Sequence, residues 1–199
     1  MSRRLGKSKP TWVDVKTNLA RFDRVALLGL LQDLYLADEG NRAFLHARFG
    51  LGEDPLQPYK KTVNRWLWPE VFRGQQTSVF RAKAAIAKYE KALGDPVGLA
   101  ELRIFYCERA AGFCQEVDHR ETVYLDALAR MFGQALKATA HLTGTVQKSF
   151  FTRLERVRII GRRIGSGVGE NMDILLSEFE SHTYTEVFHG KGNRRRKGR

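Results

Sequence analysis

Cysteine is nearly absent: the chain has two, Cys107 and Cys114, in 199 residues. Seven positions apart in one helical segment, their backbones stand about 10 Å from each other at the helical rise, beyond the roughly 7 Å that a disulfide tolerates. They are expected to be free, buried thiols, which suits a reducing compartment. Long apolar runs are missing too. The longest, Val25 to Leu36, is interrupted by Gln32 and Asp33 and is too short and too polar to cross a bilayer. Met1 to Val15 is basic and then mixed, without the apolar stretch of a secretory signal. These absences predict a cytoplasmic protein, and a hydrophobic content of 43% predicts a core that needs no staples.

Histidine is scarce and scattered. No pair among His46, His119, His141, His182 and His189 has the i, i+4 spacing, or the Cys-x-x-Cys partnership, through which side chains converge on zinc. No metal and no cofactor is expected. Neither cysteine stands in the context of a nucleophile with its base. Arg42 and His46, one turn apart, are set more closely than the Arg and His of the helical ribonucleases they suggest.

Four glycines crowd the stretch Gly161-Arg162-Arg163-Ile164-Gly165-Ser166-Gly167-Val168-Gly169. A dinucleotide fingerprint needs G-x-G-x-x-G between a strand and a helix, but here a helical pattern precedes the glycines and Glu170 stands where the last should be. A Walker loop needs Gly-Lys-Ser or Gly-Lys-Thr, which does not follow. The stretch is therefore expected to be a hinge between helices rather than a phosphate cradle.

Helical periodicity runs through most of the chain. Asp23 can cap a helix carrying Leu27, Leu28, Leu31, Leu34 and Tyr35 on one stripe, and Asn41 a shorter one with Phe44, Leu45 and Phe49. Leu56, Tyr59, Val63 and Trp66 form the next stripe, which must end before Pro69. Ser78 opens a helix that Gly94 stops, and Asp95-Pro96 caps and starts its successor. Asp118 and Glu121 have the spacing of a capping box before Tyr124, Leu128, Met131, Phe132, Ala135 and Leu136. Phe150, Leu154, Val157, Gly161 and Ile164 then repeat at helical spacing among arginines. A short amphipathic segment is expected over 171–179, and a lone strand or docked tail over 183–188. The fold class is all-α, a compact multi-helix bundle or helical-hairpin stack with a basic helical C-terminal extension and a disordered tail. The expected organisation is a basic arm at 1–10, a helical domain at 11–143, an arginine-rich extension at 144–189 with its glycine hinge at 161–169, and a basic tail at 190–199.

Acidic residues are short of basic ones by twelve, and the shortage is uneven. Residues 1–24 hold seven basic and two acidic side chains, residues 25–147 fifteen and fourteen, and residues 148–199 twelve and six. A near-neutral middle between cationic ends fits a folded module that grips a polyanion with its termini. The predicted nucleic-acid contacts are Arg3, Arg4, Lys7 and Lys9 at one end and Arg194, Arg195, Arg196, Lys197 and Arg199 at the other. Arg153, Arg156, Arg158, Arg162 and Arg163 would add an ordered surface that holds phosphates with paired hydrogen bonds. Trp66 lies on the apolar stripe and is assigned to the core, whereas Trp68 is expected to offer a face for base stacking.

Residues 11 to about 140 resemble an uncharacterised family of small bacterial helical proteins, domain of unknown function 6155. The resemblance rests on Leu34-Tyr35, on Tyr59-Lys60-Lys61 followed by an aromatic and Pro69, and on Ala84 to Tyr89 before Asp95. It continues from Gly112-Phe113 through Asp118 to Tyr124, Leu128, Met131-Phe132 and Ala135-Leu136. It implies an all-helical domain and transfers no catalytic residue. His119 and Arg120 stand where the family tends to be acidic, so no acidic surface is carried over. Taken together, the expected function is non-enzymatic binding of DNA or RNA. The alternatives are a protein-interaction or adaptor subunit docking through Phe151 and Ile159, and a helical nuclease without a recognisable motif.

Overall fold

The computed structural model describes residues 9–52, 54–70 and 73–189, the last ten for their backbone alone. All regular structure among these residues is helical. The described residues divide into two compact units, which meet between Leu45 and His46 in sequence.

The first unit holds α1 (Trp12–Leu19), α2 (Arg24–Ala37) and the start of α3 (Glu39–Phe49). Asp14 accepts the Thr11 backbone N–H at 2.7 Å and the Thr11 hydroxyl at 2.8 Å, which holds its carboxyl below the usual range. Asp23 caps α2 as expected, accepting from the Ala26 N–H at 2.7 Å. Asn41 is not the cap of α3. Asp38 takes that position, accepting the Asn41 N–H at 3.2 Å, while the Asn41 side chain reaches back to the Leu34 carbonyl at 2.7 Å. The leucine stripe of α2 also departs from expectation: no residue of the helix is buried, and Leu27, Leu28, Leu31 and Leu34 are all exposed.

The second unit is built on α6 (Pro96–Val117), which packs against α4 (Gln57–Leu67), α5 (Val79–Ala92), α7 (Thr122–Ala140) and α8 (Gly144–Ile164). The last helix, α9 (Val168–His189), lies against α7 and α8. It takes in both the segment expected at 171–179 and the lone strand or docked tail expected at 183–188. Because α8 and α9 wall the core, the basic extension is part of this unit and not an appendage to it.

Local chemistry sets most of the boundaries. Ser78 accepts from the Arg81 N–H at 3.3 Å, Gly94 ends the α5 segment at φ 65, and Asp95 accepts from the Gly98 N–H at 2.6 Å with Pro96 in the first turn of α6. The expected capping box at Asp118 does not form. Asp118 terminates α6 at φ 53, a left-handed conformation that a short polar side chain tolerates, and its carboxylate turns to Arg120. Glu121 then precedes α7 without a side-chain cap.

The five-residue stripe of α8 is buried as the periodicity requires: Phe150, Leu154, Val157, Gly161 and Ile164. The glycine stretch splits into two roles. Gly165 and Gly167, each at φ 75, make the turn between α8 and α9. Gly161 and Gly169 let the two helices cross closely, since a Cβ on Gly161 would stand 2.8 Å from the Met172 sulfur and one on Gly169 2.6 Å from the Arg162 Cα. The hinge expected over 161–169 is thus confined to its middle.

Both cysteines are free and buried in α6. Burial raises the Cys107 thiol well above its ordinary range and pushes Cys114 up to about 12. An aromatic disulfide reagent at pH 8 is expected to titrate neither thiol in the native protein and both in denaturant, because only the thiolate attacks. Rapid reaction of either in the folded chain would contradict this burial.

Candidate nucleic-acid interface

The arginines of α8 divide by the side of the helix they occupy. Arg153 faces the core wall, where its Nε donates to Glu108 Oε1 at 2.7 Å and its Nη2 to Glu108 Oε2 at 2.8 Å, while Nη1 holds Glu101. Glu101 also receives Lys60 Nζ from α4 at 2.8 Å, so one carboxylate ties α4, α6 and α8 together. Burial pushes the Glu101 carboxyl up, but the hydrogen bonds and charges of Arg153 and Lys60 outweigh it and leave the group below its ordinary range. Arg158 pairs with Glu155 within α8 and with Asp173 of α9 at 2.5 Å, and Arg162 reaches the second oxygen of Asp173 at 2.9 Å. All three guanidinium groups are paired with carboxylates, although Arg162 is exposed and shares Asp173 with Arg158.

Arg156 and Arg163 point the other way. With Lys148, Thr152 and Ile159 they form an exposed ridge at spacings of four, four, three and four, opposite the buried stripe. Lys148, Arg156 and Arg163 have no ion pair among the described residues. They are spread over about 22 Å of helix at 1.5 Å per residue, a reach that spans several phosphates of a nucleic-acid strand. Lys9 is exposed. Arg3, Arg4, Lys7, Arg194, Arg195, Arg196, Lys197 and Arg199 lie outside the described residues.

Neither tryptophan takes the setting expected of it, since both are half-buried. The stripe of α4 that turns inward is Tyr59, Val63 and Leu67, spaced by four, so Trp66 falls beside it and is not buried. Trp68 is packed: its ring meets Phe113 at 6.1 Å, the Arg109 guanidinium lies 4.0 Å from its centroid, and a Cβ on Gly112 would stand 2.8 Å from the indole. It closes the α4–α6 seam, which leaves it poorly placed to stack on a base. Trp66 instead has Arg65 at 5.2 Å and Arg81 at 4.3 Å from its ring centroid. Sequence reading missed this cluster, although the alternative period 59, 63, 67 was available to find it.

The residues named for protein docking also separate. Phe151 lines a groove of about 480 Å³ among α7, α8 and α9, with Phe132, Leu136, Leu154, Leu176 and Phe179. Ile159 stands on the outward ridge between Arg156 and Arg163. No three His, Cys, Asp or Glu residues are grouped to hold a metal ion among the described residues. Within the same residues, no helix is long and apolar enough to cross a membrane. The turn at Gly165–Gly167 joins two helices, and Arg120 fills its side by donating to the Ile164 carbonyl.

Of the positions that carry the resemblance, Tyr124, Leu128, Met131, Phe132 and Leu136 are core residues, whereas Leu34, Lys61 and Asp118 are exposed. Comparison with protein-family models, with curated proteins and with solved structures finds no match, so the reading of this surface rests on its own geometry.

Proposed function

We propose that the chain is a helical module that binds nucleic acid, with the outward ridge of α8 as its ordered phosphate-binding surface. One observation carries the reading. Lys148, Arg156 and Arg163 occupy one exposed face and have no ion pair among the described residues, while Arg153, Arg158 and Arg162 of the same helix are matched by carboxylates. Cations left unmatched in a row attract a polyanion and release its counterions. The basic residues at both ends of the sequence raise the net charge that attracts such a polymer.

The test is an anisotropy titration of the full chain against short labelled DNA and RNA across a salt series. Affinity is expected to fall steeply with salt, linearly on a log–log plot. No salt-sensitive affinity for either polymer would overturn the reading.

A second reading, docking of a protein partner, is favoured by the four exposed leucines of α2, since contiguous apolar surface marks interaction sites. Sedimentation of the full chain would support it by showing a self-associated species that Leu28→Glu and Leu31→Glu return to monomer.

A further inference from the structure

The near-neutral charge of the middle of the chain conceals a basic hairpin. Residues 57–93, which contain α4 and α5, carry eight basic side chains and two acidic ones. Both acids are engaged: Glu70 with Arg73 at 2.8 Å and Glu90 with Arg103 at 3.9 Å. Lys60 is spent on Glu101. Lys61, Arg65, Arg81, Lys83, Lys88 and Lys91 have no ion pair among the described residues.

Aromatic surface sits at one end of this hairpin. The Ser78 N–H donates to the Trp66 carbonyl at 2.9 Å, which joins the start of α5 to the end of α4. Ser78 also caps the turn that carries Arg81. The junction holds the Arg81 guanidinium 4.3 Å from the Trp66 ring centroid, with Arg65 at 5.2 Å. Next to Arg81 in sequence, Phe80 is 77% exposed, although it lies in the first turn of a helix whose inner face is already filled by Ala82, Ala85, Ile86 and Tyr89. A phenylalanine this exposed, one position from the arginine that covers the indole, has no packing role among the described residues.

We infer that Trp66, Phe80, Arg65 and Arg81 form a stacking platform for unpaired bases, so that the nucleic acid bound is single-stranded. This rests on the proposed function and names its substrate class. Aromatic rings and guanidinium planes accept any base by its π-face, but in a duplex those faces are covered by neighbouring pairs. The lysines and arginines along the hairpin supply the charge that tracks the backbone of such a strand.

The experiment compares an unstructured 12-nucleotide strand with its own duplex, each as RNA and as DNA, against the wild type and three variants at fixed salt. The variants are Phe80→Ala, the pair Arg65→Gln with Arg81→Gln, and the ridge triple Lys148→Gln, Arg156→Gln, Arg163→Gln. All of the replaced side chains are exposed, so the fold is retained. The wild type is expected to prefer the single strand. Phe80→Ala should weaken single-strand binding about tenfold, with little effect on the duplex. Equal wild-type affinity for both forms, or Phe80→Ala binding like wild type, overturns the platform. If the ridge triple still lowers affinity in that case, nucleic-acid binding stands without it. If the wild type binds neither form, both readings fall.

Discussion

Replacing Phe113 with alanine is expected to lower the unfolding free energy of the 46–199 unit by about 3–5 kcal/mol. Its ring is 1% exposed and lies where three elements meet. It contacts Trp68 after α4 at 6.1 Å, His119 in the α6–α7 connection at 5.2 Å, and Tyr124 of α7 at 5.8 Å. The Tyr124 hydroxyl in turn donates to the Leu67 carbonyl at 2.7 Å and satisfies the end of α4. Truncation removes the ring that all of these touch and leaves a void whose walls are anchored on separate helices, so collapse into it is limited. In urea the midpoint should fall with the slope unchanged, and the melting temperature should drop by about 10 °C. A loss under 1 kcal/mol would mean that this cluster does not hold α4 and α7 to α6.

Arg153→Met is the second large effect, and it separates stability from binding. The side chain is only partly exposed and donates to both Glu101 and Glu108, so its removal strands Glu108 and leaves Glu101 with Lys60 alone. Charged hydrogen bonds of this kind contribute about 1.5–3 kcal/mol, and the remaining exposure places the expected loss toward the lower end. Glu101 titrates below its ordinary value in the folded protein, so the stabilisation it represents is fully present above the unfolded value of about 4.3. It is lost as pH falls through the lower native value. The gap between wild type and Arg153→Met should therefore be widest near neutrality and close in acid. Nucleic-acid affinity of the folded variant should stay within about threefold of wild type, because this guanidinium faces its own carboxylates. A large affinity loss at full stability would return Arg153 to the binding surface.

Much of the architecture was readable in the sequence, wherever a local device acts alone. The α8 stripe, the Ser78 cap and the Gly94-Asp95-Pro96 junction depend on neighbours within a turn or two, and all formed as read. Asp118 misled because the same short carboxylate that caps a helix start also tolerates the left-handed end of one. Trp66 missed the core because two stripes, 56-59-63-66 and 59-63-67, fit one helix equally well, and only packing against α6 selects between them. The α2 leucines have the spacing of a buried stripe whether or not anything covers them, so their exposure was not legible.

The site was legible as a composition and not as a surface. Counting arginines on α8 could not separate Arg153 from Arg156, because the carboxylates that occupy Arg153 stand 45 and 52 positions away on α6. Similarly, averaging charge over residues 25–147 hid the basic hairpin behind the acids of the helices around it. Charge that the fold has already matched carries no information about a ligand; the unmatched remainder does.

The most direct test of that distinction is the salt dependence of the ridge triple Lys148→Gln, Arg156→Gln, Arg163→Gln beside wild type on the same single strand. Each phosphate contact contributes about 0.7 to the slope of log affinity against log salt on a single strand. The account predicts a slope shallower by roughly two, with unfolding midpoints unchanged. An unchanged slope in a folded triple variant would contradict it and remove α8 from the binding surface.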